Sequence, residues 1–253
     1  MQSTVARSLA LAFALFSFIF LRQAVAGSMD TNAAPTVRIA LVGDSTVADY
    51  LTPGDVHRGW GQLFPELVDT NRVVVQNFAV NGRSTKTFKS EGRWEKVLAF
   101  KPDYVFIQFG HNDSHTKDRP ESTDPKTDYT SNLVWYVKSA KAHGAVPILV
   151  TPMHRGTWIK DGHHLTQELA PYADAMRTVA SDENVPLIDL YAWSGVVFAG
   201  MTDDKLATLF AIPSADRTHF NEKGARLLAA MVVIDASSSV PALRSYLKVP
   251  KEM

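Results

Sequence analysis

The 253-residue sequence contains no cysteine. Disulfide bonds, thiol nucleophiles and thiolate metal sites are therefore excluded, and a sizeable hydrophobic core must hold the fold together. The sequence also lacks an excess of charge of either sign, since 26 basic residues stand against 26 acidic ones. This balance argues against nucleic acid or an anionic membrane surface as an electrostatic partner.

Long hydrophobic runs are also scarce, and the longest, residues 9–21, is interrupted only by Ser17. The run is too short to span a bilayer comfortably, because a spanning helix needs about 20 apolar residues. Arg7 precedes it and Ala24-Val25-Ala26 follows it, which is typical of a secretory signal peptide. We therefore predict a signal peptide over residues 1–26, cleaved after Ala26, and a secreted or periplasmic protein. An uncleaved N-terminal anchor is the alternative.

The remaining residues, 27–253, are predicted to form one domain with a sizeable core. Loss of Arg7 and Arg22 leaves 24 basic and 26 acidic residues in this segment, because the removed part contains no acid. For the mature protein we expect a monomer that binds no nucleic acid and, after signal cleavage, no membrane.

Apolar segments rich in Val, Ile and Phe recur along this domain and do not alternate with polar residues, as in strands buried on both faces. The predicted strands cover residues 37–42, 73–79, 104–109, 146–151 and 186–190. Helical patterns separate or follow them at residues 61–67, 95–100, 129–143, 165–184, 221–234 and 240–248. This order predicts an α/β fold, a three-layer α/β/α sandwich of flavodoxin-like type around a five-stranded parallel sheet.

Four polar stretches lie in loops of this predicted fold. They read Gly-Asp-Ser-Thr at 43–46, Asn-Gly-Arg-Ser at 81–84, Gly-His-Asn-Asp at 110–113 and Asp-Arg-Thr-His at 216–219. The first three follow strands, and the carboxyl ends of parallel strands meet at one edge of a sheet. These stretches are therefore candidates for one site.

A reacting serine needs a base, a group that orients the base, and donors for the developing oxyanion. Ser45 is the candidate nucleophile, His219 the base, and Asp216, three residues before it, the orienting acid. Gly82 allows close approach of a backbone N–H, and Asn112 offers a neutral amide donor. Each stretch alone is more often a turn or a cap, and only their combination predicts chemistry.

Together these stretches resemble the four sequence blocks of the SGNH (GDSL-like) hydrolase superfamily, represented here by Ser45, Gly82, Asn112 and His219. The resemblance extends to the rhamnogalacturonan acetylesterase family of carbohydrate esterases, and it spans about residues 37–234. The additional matching stretches read GWGQ at 59–62, GRSTKTF at 82–88, EGRW at 91–94, QFGHND at 108–113, TPM at 151–153 and DRTHFN at 216–221.

The resemblance implies an exported serine esterase that removes acetyl groups from acetylated rhamnogalacturonan or other pectin and needs no cofactor. It implies Ser45 as nucleophile, His219 as base and then acid, and Asp216 as the group that orients His219. The implied oxyanion donors are the backbone N–H groups of Ser45 and Gly82 and the side chain of Asn112. Acetylated xylan, or a small ester or thioester, is an alternative substrate, and a non-catalytic sugar-binding protein is an alternative function. The sequence Gly-Asp-Ser-Thr, without the leucine of the superfamily's name, weakens a lipase interpretation.

Further side chains in these loops are candidates for contact with substrate. Arg83 and Arg155 could pair with uronic-acid carboxylates or form surface salt bridges. Trp158 could stack on a sugar ring or pack within its loop. His111 could brace the Asn112 loop or touch substrate, and Asp44 is predicted to stabilise the turn that presents Ser45.

Two other chemistries are set aside on the sequence. Adjacent His163 and His164, near Asp161 and Glu168, lack a third ligand at suitable spacing, so no metal site is predicted. Ser84 is a second candidate nucleophile, but no Asp–His pair is assigned to it.

Overall fold

Five parallel strands form the central sheet in the computed structural model, which describes residues 36–159 and 164–251. They are β1 (Val37–Gly43), β2 (Val73–Asn77), β3 (Tyr104–Gln108), β4 (Val146–Val150) and β5 (Leu187–Ile188), in the order β2-β1-β3-β4-β5. The predicted five-stranded parallel sheet is confirmed. Its fifth strand is shorter than predicted, with only two residues.

Helices cover both faces of the sheet. They are α1 (Trp60–Leu63), α2 (Thr85–Ser90), α3 (Trp94–Ala99), α4 (Asp128–Ala142), α5 (Ala170–Asp182), α6 (Leu190–Ala199), α7 (Asp203–Ala207) and α8 (Glu222–Ser239), with 3₁₀ turns at Phe64–Leu67 and Pro241–Tyr246. Asn221 caps α8, because its side chain accepts a hydrogen bond from the Gly224 N–H. None of these helices in the described ranges is both long and apolar enough to cross a membrane.

The two sheet faces bury separate hydrophobic cores because successive side chains of a strand point to opposite sides. From β1, Ile39 and Leu41 pack with side chains of α1, α6 and α8. Ala40 and Val42, which alternate with them, pack with side chains of α2, α3, α4 and α5. The three-layer α/β/α arrangement is therefore confirmed, with β1 at the centre of both cores.

Several elements differ from the sequence-based prediction. The predicted helix at 165–184 begins only at Ala170, with Pro171 in its first turn, where a missing N–H costs nothing. An antiparallel hairpin of β6 (Phe210–Ile212) and β7 (Asp216–Phe220) was not predicted. Helix α2 was also missed, and Ser84 caps it by accepting from the Thr87 N–H. The predicted signal peptide, residues 1–26, lies outside the described residues and stays a prediction.

Candidate active site

Sheet order explains why loops distant in sequence meet at one place. Strand β1 lies between β2 and β3, so the segments that follow these three strands share the carboxyl edge of the sheet. They carry Ser45, Gly82 and Asn112. Strand β7 brings Asp216 and His219 to the same place, and all five residues line one cleft of about 450 Å³.

A short hydrogen-bonded chain joins Ser45, His219 and Asp216. The Ser45 hydroxyl lies 2.7 Å from His219 Nε2, and His219 Nδ1 lies 2.6 Å from Asp216 Oδ2. Because a carboxylate only accepts hydrogen bonds, Nδ1 carries the proton and Nε2 is free to accept from the Ser45 hydroxyl. The geometry is that of a nucleophile, a base and a group that orients the base.

Asp216 is held as a carboxylate by its neighbours. Burial alone would raise its pKa, but the His219 ring and the Thr218 and His219 amides donate to it and keep its pKa below the usual range. Asp216 and His219 both lie on the short strand β7, and the Asp216 side chain curls toward the N–H groups of the residues that follow it.

Gly82 and Asn112, the two oxyanion donors expected beside Ser45, line the same cleft as Ser45. Gly82 has a φ of +76° with nothing within 4 Å of the position of a Cβ, so the backbone conformation rather than crowding favours glycine there. Asn112 Nδ2 donates to the Arg83 carbonyl at 3.0 Å. One hydrogen of the amide is thus fixed in the protein, and the other can serve a group in the cleft.

The turn that presents Ser45 is stabilised by Asp44. Its Oδ1 accepts from the backbone N–H of Thr46 at 2.9 Å and from the Thr46 hydroxyl at 2.7 Å. The Asp44 carbonyl accepts from the N–H groups of Val47 and Ala48. The predicted turn-stabilising role of Asp44 is confirmed.

His111 lies beneath the cleft rather than in it. Its side chain is 3% exposed and both ring nitrogens are shielded from solvent, with Nδ1 3.6 Å from Asp44 Oδ2. Burial lowers the pKa of His111, and the Asp44 carboxylate offsets this only in part. The burial of the His111 ring favours the bracing alternative, and the suggested contact with substrate stays a prediction.

The other three suggested substrate contacts also lie outside the lining of the cleft, among the residues described. The Arg155 guanidinium is engaged by protein groups. It donates to the His111 carbonyl at 3.0 Å and to the Thr218 hydroxyl, and it forms an ion pair with Glu168 at 3.2 Å. It thereby ties the Asn112 loop to β7. Arg83 pairs with Glu91 at 3.0 Å, and Trp158 donates to Asp203 at 3.0 Å.

Asp113, next to Asn112, is a buried anchor for the same loops. It accepts from the backbone N–H and hydroxyl of Thr85 and from the Thr123 hydroxyl. Burial raises its pKa to about 7, despite these donors. Asp113 thus fixes the start of α2, the loop after β3 and, between them, the Asn112 amide.

Tyr50, His57 and Asn81 also line the cleft, although the sequence predicts a role for none of them and only Asn81 lies in one of the four polar stretches. The Tyr50 hydroxyl donates to the Ser45 carbonyl at 3.0 Å. Asp55 lies two residues before His57, and this second Asp–His pair in the sequence is a signal that could have identified the loop.

No group of three or more potential metal ligands is present within 36–159 and 164–251. Residues 160–163, which include His163, are outside those ranges.

Comparison with known proteins identifies related sequences and folds. Residues 41–227 match the GDSL-like lipase/acylhydrolase family. The chain is 40% identical over 201 residues to the probable rhamnogalacturonan acetylesterase YesY of Bacillus subtilis, covering 77% of this chain and 89% of that protein. It is 34% identical over 209 residues to the rhamnogalacturonan acetylesterase RhgT of the same organism, covering 78% and 88%.

Solved structures show the same fold. An acetylxylan esterase from Geobacillus stearothermophilus superposes with a TM-score of 0.64 at 20% identity, covering 80% of this chain and 95% of that one. The family match covers most of the chain and includes the segments that carry Ser45, Gly82, Asn112 and His219. The chain therefore belongs to the GDSL-like lipase/acylhydrolase family and is a carboxylic ester hydrolase.

Proposed function

We propose that the protein is an exported serine acetylesterase that removes acetyl groups from rhamnogalacturonan or another pectin. The observation that carries the proposal is the aligned chain Ser45–His219–Asp216 in an accessible cleft. The relatives named rhamnogalacturonan acetylesterase support the choice of substrate. Residues 1–26 support export by their sequence alone.

In the first half-reaction, the Ser45 oxygen attacks the acetyl carbonyl carbon while His219 Nε2 takes the hydroxyl proton. Asp216 stabilises the imidazolium that forms and holds the ring in place. His219 then gives this proton to the departing sugar oxygen, leaving an acetyl group on Ser45. In the second half-reaction His219 takes a proton from water, whose oxygen attacks the acetyl-enzyme, and acetate leaves as Ser45 regains its proton.

The oxyanion formed in both steps would be stabilised by the backbone N–H groups of Ser45 and Gly82 and by the Asn112 amide. All three residues border the cleft, and Asn112 is held by the Arg83 carbonyl before substrate arrives. Donors fixed in advance need no reorganisation as charge develops, and such electrostatic stabilisation is usually the largest single contribution to catalysis.

The cleft suits a small acyl group on a polar alcohol. Its lining includes Tyr50, His57 and Asn81 as well as the five residues already assigned, and none of these is an aliphatic side chain. A long acyl chain would need an apolar channel to bury its methylene groups. The lining therefore favours acetyl esters of sugars over long-chain lipids.

Acetate release from acetylated rhamnogalacturonan and from acetylated xylan, each with wild type and Ser45→Ala, tests the proposal. We expect faster release from rhamnogalacturonan and none above background from the folded variant. Faster release from xylan would replace the substrate but keep the mechanism. Full activity of Ser45→Ala would refute the nucleophile, and polysaccharide binding without acetate release from any ester would indicate a binding protein.

A further inference from the structure

A second carboxylate–imidazole pair stands beside the first in the cleft. The ring of His57 meets the ring of His219 edge-on, with centroids 5.9 Å apart. His57 Nδ1 lies 2.7 Å from Asp55 Oδ1. None of the roles assigned above uses this pair, although His57 lines the cleft.

The loop that carries the pair is fixed to the catalytic elements at both ends. At its start, the Tyr50 N–H donates to Gln62 Oε1 at 3.0 Å and the Tyr50 hydroxyl donates to the Ser45 carbonyl. At its end, the Arg58 N–H donates to the carbonyl of Phe220, next to His219, at 2.8 Å. Tyr50 also stacks on the ring of His57. His57 is therefore held in register with Ser45 and His219.

The hydrogen bond between His57 Nδ1 and Asp55 determines which nitrogen of the His57 ring can accept a hydrogen bond. The His57 amide and ring donate to Asp55 and hold the pKa of that carboxyl below its usual range. Because the carboxylate accepts from Nδ1–H, the neutral imidazole presents Nε2 as a hydrogen-bond acceptor. The side chain is 25% exposed, and no group in the described part of the chain pairs with Nε2.

The position of His57 relates it to the alcohol part of the ester. His219 must reach the departing oxygen to protonate it, so the alcohol leaves from the side of Ser45 that His219 occupies. His57 contacts His219, whereas the oxyanion donors Gly82 and Asn112 come from different loops. His57 therefore lies beside the group that protonates the departing alcohol.

We propose that His57, oriented by Asp55, accepts a hydrogen bond from a hydroxyl of the departing alcohol and thereby selects acetyl esters of polyols. This inference rests on the proposed esterase mechanism but not on the identity of the polysaccharide. A site built to pair with a substrate hydroxyl discriminates against an analogue that lacks it, because its own polar group is then left unpaired.

Two small esters isolate this contact: glycerol monoacetate, whose alcohol carries free hydroxyls, and propyl acetate, whose alcohol carries none. The measured quantity is the ratio of their kcat/KM values at pH 8. We expect a ratio above one for the wild type, falling about three- to tenfold in His57→Phe, the size of one lost hydrogen bond. His57→Phe keeps an aromatic ring that can stack on Tyr50, and it keeps the backbone N–H that donates a hydrogen bond to Asp55.

Further variants separate hydrogen bonding from shape. His57→Gln retains an acceptor and should restore part of the ratio, whereas Asp55→Asn should lower it by releasing the ring. The matched control is His115→Phe, because His115 pairs with Glu121 at 2.6 Å away from the cleft. It should leave both rates unchanged.

The outcomes distinguish this inference from the proposed function. An unchanged ratio in His57→Phe, or equal ratios in His57→Phe and His57→Gln, would overturn the role of His57 while leaving the esterase intact. A wild type that prefers glycerol monoacetate but ignores acetylated pectin would refute the polysaccharide and keep His57. Inactivity of the wild type on both small esters would remove both.

Discussion

The pairs Asp216–His219 and Asp44–His111 each combine a carboxylate with an imidazole near Ser45, and they differ in exposure and in the distance between their side chains. Asp216 and His219 have side chains 27% and 31% exposed and are joined at 2.6 Å. Asp44 and His111 are 0% and 3% exposed, and their nearest charged atoms are 3.6 Å apart. The first pair is aligned with the Ser45 hydroxyl, whereas the second supports the turn beneath it.

The difference between these pairs shows that a histidine near an aspartate is not by itself a general base. A catalytic imidazole must gain and lose a proton, and it therefore needs a close partner that stabilises the charged ring and a path to substrate. His219 has both. Burial lowers the pKa of His111 and shields both of its ring nitrogens from solvent, so the ring has no path to substrate.

The largest expected effect comes from breaking the exposed pair. Asp216→Asn should lower kcat for acetate-ester hydrolysis about 10⁴-fold, because the amide no longer stabilises the imidazolium or selects the reactive tautomer. The free energy of unfolding should change far less than the activation free energy of hydrolysis, because the side chains of Asp216 and His219 are both partly solvated. Steady-state kinetics with an activated acetate ester, alongside urea unfolding, measures both quantities.

Asp174→Asn is the matched control, because Asp174 is an exposed carboxylate on α5 that pairs with Arg177 away from the cleft. It should retain most of the activity. If kcat of Asp216→Asn stayed within tenfold of the wild type, the comparison would fail at its first step, and His219 would not depend on Asp216.

A smaller effect is expected from Asp113, whose burial raises its pKa to about 7. In the unfolded chain an aspartate loses its proton near pH 4, so the folded state binds more protons between about pH 4 and 7. Stability should therefore fall as pH rises through this window, by up to about 4 kcal/mol at about 1.4 kcal/mol per pH unit. Asp113→Asn should remove this slope in urea unfolding from pH 5 to 8.

The control for Asp113→Asn is Asp118→Asn. Asp118 is an exposed residue of the same loop, and hydrogen bonds hold its pKa below the usual range. Its curve should run parallel to that of the wild type above pH 5. Parallel curves for Asp113→Asn as well would mean that the buried carboxyl is ionised throughout the range.

How far the sequence predicts this arrangement differs between its parts. The strands were predictable because segments such as β1 are apolar on both faces and need no partner to be recognised. Strand β7 was not, because its sequence, Asp-Arg-Thr-His-Phe, is mostly polar and becomes a strand only by pairing with β6. The candidate site residues were predicted from the order of the four polar stretches that carry Ser45, Gly82, Asn112 and His219, and the structure brings these four residues to one cleft.

What the sequence did not predict depends on distances between loops. Nothing local distinguishes Arg155, which is engaged by Thr218 and the His111 carbonyl, from an arginine free to bind substrate. His57 was not predicted to line the cleft, because its position there depends on the hydrogen bond from the Arg58 N–H to the Phe220 carbonyl. This bond joins segments that are far apart in the chain. Both assignments require tertiary structure.

The smallest effect is expected from the buried pair itself. Burial alone would raise the pKa of Asp44, but His111 and Thr46 hold it below the usual range, so its contribution to stability is present above about pH 4 and lost as pH falls further. Its pH dependence is thus opposite in sign to that of Asp113. Asp44→Asn should lower the free energy of unfolding at pH 7 by about 1–3 kcal/mol, because Thr46 loses part of its acceptor.

Activity measured on the same samples separates the two pairs. In Asp44→Asn, kcat should fall about tenfold or less, far less than in Asp216→Asn, because Asp44 acts on Ser45 only through the shape of the turn. A loss of kcat as large as that of Asp216→Asn, with stability unchanged, would reverse the comparison and make Asp44 part of the proton-transfer machinery. Reduced stability with modest loss of kcat would establish that the buried carboxylate holds the nucleophile in place while the exposed one tunes the base.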